Sequence, residues 1–307
     1  MHFVHTTDQR DLATSLEALL AGADTVAVAR AWADGDLGPG LALWRRLADQ
    51  GVSMLATEAS AVEVVIAFEA LGRHAVPGPW VESAAYLPRA LGRELDGPAT
   101  VAVAPLAPRA LDAHVVEEAY LVVDGVLHRA APADGATHRS VDRTRALVDL
   151  VAGDAVDGPT DAALAAAERL AVLATSAQLL GAGERLLADT VSYVRQRRQF
   201  GREIGSYQAL KHALADVRIA LDFARPLVDG AALTDAPADV HAAKIATSDA
   251  AYLASRTALQ LHGAIGYTQE FDLSLWLTKV RALVGAWGTP ARHRAALLAL
   301  LVDGRAA

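Results

Sequence analysis

The sequence predicts a mainly α protein with a small β section, ordered as an N-terminal helical domain (1–95), a β domain (96–158) and a C-terminal helical bundle (159–307). Three observations carry this. Long Ala/Leu-rich stretches with apolar residues every three to four positions fill the chain from Asp161 onward. Between 98 and 155 the texture changes to alternating, Val-rich runs around Asp124-Gly125, a hairpin turn signal. The composition, 53% hydrophobic and 21% charged over 307 residues, is that of an ordinary globular chain able to bury a large core.

In order, DLATSLEALLAG (11–22) and LALWRRLADQG (41–51) read as amphipathic helices that end at glycine. SAVEVVIAFEALGRHAVPGP (60–79) reads as a helix stopped by Gly72 and two prolines. ATVAVAP and HVVEEAYLVVDGVLHRA belong to a β section of four to six strands. Helices are expected at 161–198, 206–230, 236–262, about 272–284 and 290–302, with the short connections of a four-helix bundle. No internal repeat is present.

Composition excludes several functions. A net charge of −8 argues against nucleic acid as the main partner. With no cysteine there is no disulfide, thiolate metal site or thiol nucleophile. The start MHFVHTTDQRDL lacks a signal-peptide core, and no apolar run is expected to reach the ~18 residues of a membrane span. A cytoplasmic location is the resulting expectation. His212 and Asp216 stand four apart, as metal ligands could, but also as a surface or capping pair, and no third ligand is evident. Gly181-x-Gly183 lies inside a helix without a preceding strand, so it is not a dinucleotide fingerprint. No G-x-S-x-G elbow occurs. Trp276 reads as core or interface, and Tyr267 as packing beside a Gly-rich turn.

The basic residues are clustered. Arg195, Arg197, Arg198 and Arg202 surround Phe200-Gly201 at a helix end. Guanidinium groups bind phosphate in a bidentate manner, each charge-assisted bond contributing about 1.5–3 kcal/mol, and a glycine allows close backbone approach. The cluster therefore suits a pyrophosphate. It equally suits a solvated helix C-terminus favoured by the helix dipole. Phe200 could stack on a cofactor or anchor the core; Gln208 could bond a cofactor or simply be exposed.

RQRRQFGREIGSYQALKHALADV resembles the acyl-CoA dehydrogenase signature R-x-x-F-G-x-x-I-x-x-x-Q-x-x-x-x-x-x-A-D. QLHGAIGYTQEFDLSLWLTKVRAL resembles that family's Q-x-x-G-G-x-G-Y-x-x-E/D segment, and LADQGVSMLATEAS with EALGRHAVPGPW resembles its N-terminal helices. The resemblance runs the length of the chain and implies the acyl-CoA dehydrogenase-like fold: helical domain, reduced middle β domain and four-helix bundle. It implies FAD as cofactor. Arg197 would contact the pyrophosphate and Phe200 the flavin. Gln208, Gln260 and Gly263 would contact the adenosine and pyrophosphate region, with Gln199 and Ala264 completing the cofactor-binding set. In the family such contacts reach across a subunit interface to the neighbour's FAD.

Two departures stand out. The family's usual base is the Glu of Y-E-G-T, and here the segment is Ala286-Trp287-Gly288-Thr289, with the family spacing from Gln260 kept (287 − 260 = 27). An indole has no basic site, and losing a general base costs about 10²–10⁴-fold. An alternative family position for the Glu, ten residues before Gly181, is Ala171; Glu168 lies close by. The β section is short, without the family's T-E-P-x-x-G-S-D loop or Trp-Ile-Thr strand. The chain thus keeps the contacts made to a neighbour's flavin and lacks those made to its own. This pattern resembles the short non-catalytic subunits of actinobacterial heterotetrameric acyl-CoA dehydrogenases acting on steroid side-chain CoA esters. It implies an α2β2 assembly in which a full-length subunit supplies the Glu, the flavin-ring contacts and the acyl-CoA pocket. Two other readings stay open. One is a self-sufficient homo-oligomeric dehydrogenase with a relocated base, Glu168 or Glu270. The other is a non-enzymatic scaffold paralogue. Whether Thr289 still touches flavin is left open by the sequence.

Overall fold

A computed structural model describes residues 3–199 and 201–304; Phe200 lies outside the described residues. Among these, eleven α-helices and one five-stranded sheet form the body. The first helices are α1 (Thr7–Ala21), α2 (Thr25–Ala33), α3 (Gly38–Asp49), α4 (Leu55–Glu58) and α5 (Ala61–Arg73). Capping boxes start two of them. Thr6 pairs with Gln9 at α1, and Ser60 with Glu63 at α5, so orphan N–H groups are satisfied at both ends of each box.

α5 ends at Arg73, one residue past Gly72 and ahead of both prolines, Pro77 and Pro79. Gly72 is not a terminator. It sits in the last turn of α5, where a Cβ would stand 2.1 Å from the Gln178 carbonyl oxygen. After Pro77-Gly78-Pro79 the chain re-enters a π-turn, Glu82–Tyr86, that continues into α6 (Leu87–Leu91). The sequence does not announce this piece because nearly every residue of it is buried, leaving no polar face to give a period.

The strands are β1 (Ala99–Val103), β2 (Ala110–Leu111), β3 (Glu118–Val123), β4 (Val126–Arg139) and β5 (Ala146–Ala155), in the spatial order β1-β3-β4-β5-β2. The expected hairpin is present: β3 and β4 pair antiparallel across Asp124 (φ 49°) and Gly125 (φ 80°), both in the left-handed region that a tight hairpin turn needs. β1 is buried throughout and pairs parallel with β3.

The second helical set is α7 (Asp161–Gln196), α8 (Gln208–Thr234), α9 (Pro237–His262), α10 (Leu273–Gly285) and α11 (Pro290–Val302). α7 is the central helix, touching α5, α8, α9 and α10. By length and composition it would pass as a membrane span, contrary to the sequence expectation, but most of its apolar stretch is buried against those neighbours. Beyond apolar burial, ion pairs tie three helices together. Arg225 of α8 bonds both Glu69 oxygens (2.8 and 2.9 Å), while Arg218 bonds both Glu184 oxygens at 2.7 Å. The nearby guanidinium groups hold the Glu184 carboxyl below its usual range against the opposing effect of burial. Trp276 is part of the core, one of the two roles expected of it: its indole N–H donates to the Arg73 carbonyl at 2.9 Å.

Candidate functional site

The two signature segments meet at the C-terminal ends of α7 and α9. Tyr193 and His262 stack with ring centroids 4.2 Å apart, and the Tyr193 hydroxyl donates to the His262 carbonyl at 3.4 Å. Tyr193 lies four residues before Arg197, and His262 directly precedes Gly263, so this one contact brings both segments together. Beyond α7, Arg198–Gln199 (β6) and Arg202–Glu203 (β7) form a small antiparallel hairpin with Gly201 at φ 82°. A 3₁₀ turn, Ile204–Ser206, then leads to Gln208, the first residue of α8. Gly263 adopts φ 63°, ψ −139°, a conformation suited to glycine, and opens the 3₁₀ turn Gly263–Tyr267.

Arg197, Gln199, Gln208, Gln260, Gly263 and Ala264 are all exposed. Among the described residues, no acidic side chain pairs with Arg195, Arg197, Arg198 or Arg202; the Arg202 guanidinium lies 3.9 Å over the Tyr207 ring. α8 begins with no side-chain cap; the Leu210 and Lys211 N–H groups donate to the Tyr207 carbonyl, and those of Gln208 and Ala209 have no acceptor among the described residues. Open guanidinium groups, free helix N–H groups and glycines whose added Cβ would meet nothing fit a dinucleotide's diphosphate. Tyr267, expected to pack beside the turn, is instead 77% exposed, because the turn projects it outward together with Ile265 (41%). His212 and Asp216 are exposed, and no group of three or more potential metal ligands occurs among the described residues.

Trp287 stands elsewhere. His241 of α9 bonds His293, which in turn bonds the Trp287 carbonyl, whereas the signature segments lie at His262. The separation is 262 − 241 = 21 residues, roughly 30 Å along α9. Trp287 is 1% exposed and holds the left-handed backbone (φ 52°). Its indole N–H donates to Glu82 Oε1 at 3.2 Å, and its ring lies over Tyr86 at 5.2 Å between centroids. Its carbonyl accepts from His293 Nε2 (2.9 Å), and the Gly288 N–H donates to the Leu106 carbonyl (2.9 Å). His293 Nδ1 is thereby left to accept from His241 at 2.9 Å. Burial pushes His293 down to about 4, so it is the neutral ring that this chain of bonds requires. Gly288 (φ 96°) is needed because a Cβ there would stand 2.5 Å from His293 Nε2. Thr289 caps α11, its hydroxyl accepting from the Arg292 N–H.

Glu82, Asp112 and Arg145 form a polar patch beside Trp287 to which no motif in the sequence points. Glu82 is fully buried, and loss of solvent pushes its carboxyl up. Asp112 accepts from the Ala146 N–H at 2.7 Å, and burial raises it to about 7. Lys244, also buried, donates to the Leu283 carbonyl at 2.7 Å and is lowered to about 7 by loss of solvent. The signal for Glu82 was an acid inside the otherwise apolar run VPGPWVESAAYL. Of the two carboxylates the sequence offers as a relocated base, Glu168 on α7 is half-buried and raised by burial, and Glu270 is exposed, its carbonyl bonded to Arg30. Neither lines the cavity that Trp287 borders.

The raised Asp112 carboxyl has a consequence for stability. A folded carboxyl raised above its unfolded value adds stability that is full below about pH 4 and is lost as pH rises through about 7. Asp112→Asn should therefore melt with a shallower decline between pH 4 and 8 than the parent chain, as followed by thermal denaturation at several pH values.

Residues 163–300 match the family described as acyl-CoA dehydrogenase, C-terminal domain. The chain is 31% identical over 290 residues to the acyl-CoA dehydrogenase IpdE2 of Mycobacterium tuberculosis, covering 88% of this chain and 89% of that protein. It therefore belongs to the acyl-CoA dehydrogenase family. Among solved structures, a chain of the ChsE4-ChsE5 complex of M. tuberculosis superposes with a TM-score of 0.80 at 21% identity, covering 99% of both chains. A chain of the Tcur3481-Tcur3483 steroid ACAD superposes with a TM-score of 0.79 at 19% identity, covering 98% and 99%. The fold expected from the sequence, mainly α with a small β section, is that of these structures.

Proposed function

We propose that this chain is the non-catalytic subunit of a heteromeric FAD-dependent acyl-CoA dehydrogenase, completing the FAD site of a full-length partner. The observation that carries the reading is the separation of two features. An exposed set of unpaired guanidinium groups fits a diphosphate at one end of α9, while roughly 30 Å away the base position is filled by a buried tryptophan. A grip that far from its own base position suits a neighbour's cofactor. Exposed Ile265 and Tyr267 beside the grip provide apolar surface for that neighbour. The ChsE4-ChsE5 complex and the Tcur3481-Tcur3483 steroid ACAD pair two different components, which supports a heteromeric partner and a steroid-type substrate; the α2β2 stoichiometry and the side-chain CoA ester are part of the proposal.

When bound, the flavin would supply the hydride acceptor for α,β-dehydrogenation of the thioester. This chain's part would be binding and orientation. Arg197 and the hairpin arginines would neutralise the diphosphate, Gln208 and the first turn of α8 would donate to it, and Gln260 with the Gly263-Ala264 turn would bound the adenosine side. Gln199 and Phe200 are assigned to the same cofactor only by family position.

Arg197→Ala is expected to lower the flavin occupancy of the co-purified complex about tenfold at limiting FAD, the loss of one charge-assisted phosphate contact. Absorbance per mole of complex measures this; unchanged flavin would remove Arg197 from the site.

One observation favours a second reading, a self-sufficient enzyme with a relocated base. A carboxylate, Glu82, does lie against Trp287, closer to the missing base than Glu168 or Glu270. Glu82→Gln separates the readings. It should leave turnover of the complex within a few-fold in the subunit reading and abolish it in the second.

A further inference from the structure

Between the sheet and the Trp287 loop lies a cavity of about 310 Å³. That volume is at the small end of ligand pockets (~300–1,000 Å³) and holds about ten non-hydrogen atoms, at the ~30 Å³ that a water occupies in the liquid. Its walls are largely apolar, with Leu106, Leu147, Ala282 and Trp287 among them. Two cations border it. Arg109 is already paired with Asp149 at 2.9 Å. The Arg145 side chain has no hydrogen-bond or ion-pair partner among the described residues, although it is half-buried.

The acids near Arg145 do not neutralise it. Asp142 is paired with Lys279 at 3.1 Å and bonded by Thr144. Glu82 has the Trp287 indole on one oxygen, and the second oxygen of Asp112 is buried without a partner. Burial pushes both of these carboxyls up, toward the neutral form. The cavity thus has a largely apolar interior, one guanidinium without a bonded partner among the described residues, and one carboxyl in its lining, Glu82, whose Oε1 already takes the Trp287 indole N–H.

We propose that this cavity binds a small apolar carboxylate, the carboxylate held by Arg145 and the body lying against Trp287, Leu106 and Ala282. The inference goes beyond the flavin reading and stands without it, because its site is roughly 30 Å along α9 from the diphosphate grip.

Octanoate, with ten non-hydrogen atoms (about the cavity's capacity), is the probe, and octanol is its uncharged control. In equilibrium dialysis against the full chain, octanoate should bind saturably at one per chain, about tenfold or more tighter than octanol. Arg145→Gln should remove that preference and leave octanol binding unchanged; Arg145→Lys should restore part of it. Ala282→Phe, which fills the cavity, should abolish binding of both. Far-UV circular dichroism confirms that each variant is folded. Non-saturable octanoate uptake, or an undiminished octanoate preference in folded Arg145→Gln, would overturn the proposal.

Discussion

Trp287→Ala is expected to destabilise the chain by about 3–5 kcal/mol, the range for removing a large buried aromatic. Three costs add up. The ring's contact with Tyr86 is lost, a cavity opens beside the existing one, and Glu82 loses its donor. A buried acceptor without its partner alone costs about 1–3 kcal/mol, so Trp287→Phe, which keeps the ring and removes the N–H, isolates that part. Trp287→Glu should be at least as destabilising as the alanine change, since it sets a second carboxylate against Glu82 where burial already disfavours one charge. In the subunit reading it should also create no turnover in the isolated chain. Urea denaturation gives the stability order, and an acyl-CoA oxidation assay gives the second result. A stable, active Trp287→Glu chain would sink the claim that the site has lost more than its base.

The second large effect is at the α5–α7 crossing. Gly181→Ala places a Cβ 2.0 Å from the Glu69 carbonyl oxygen and 2.9 Å from the Arg73 N–H nitrogen. Both are backbone atoms, so no side chain can move aside. The helices must separate, which would loosen the Arg225–Glu69 pair and the Trp276–Arg73 bond as well. A loss of about 3 kcal/mol or more is expected, at the upper end of overpacking costs. Gly72→Ala meets the Gln178 backbone at 2.1 Å and should cost a similar amount. Gly230→Ala is the control: nothing lies within 4 Å of its Cβ, and inside α8 the change should stabilise slightly. Equal melting temperatures for Gly181→Ala and Gly230→Ala would contradict this account of the crossing.

These glycines show where the sequence was readable and where it was not. Gly125 was legible because a turn needs its backbone freedom, and that need is local. Gly72 reads as a helix stop, and Gly181 only as part of a G-x-G that is no dinucleotide fingerprint, because their need is set by another helix far along the chain. The long bundle helices were legible from their periodicity. The buried Glu82–Leu91 stretch was not, having no exposed face. In the site, the arginine cluster and the Gly263 turn were legible as residue patterns, since phosphate binding needs a recognisable chemistry at short spacing. Trp287 was visible as a departure at a known spacing. Its meaning was not, because Glu82, Arg145, Tyr86 and His293 converge around it from separate segments. No spacing in the chain announces that convergence.

The central claim is that the chain completes a cofactor site it does not own. The most direct test is the visible flavin absorbance of the purified chain, alone and after co-expression with a full-length relative carrying Y-E-G-T, together with the mass of each assembly. The account expects no flavin in the chain alone, and about one FAD per heterodimer in an α2β2 complex. Stoichiometric flavin in the chain alone would contradict it, and would direct the search for a relocated base to Glu82. A stable complex without flavin would contradict it in the other direction, leaving the chain as a scaffold.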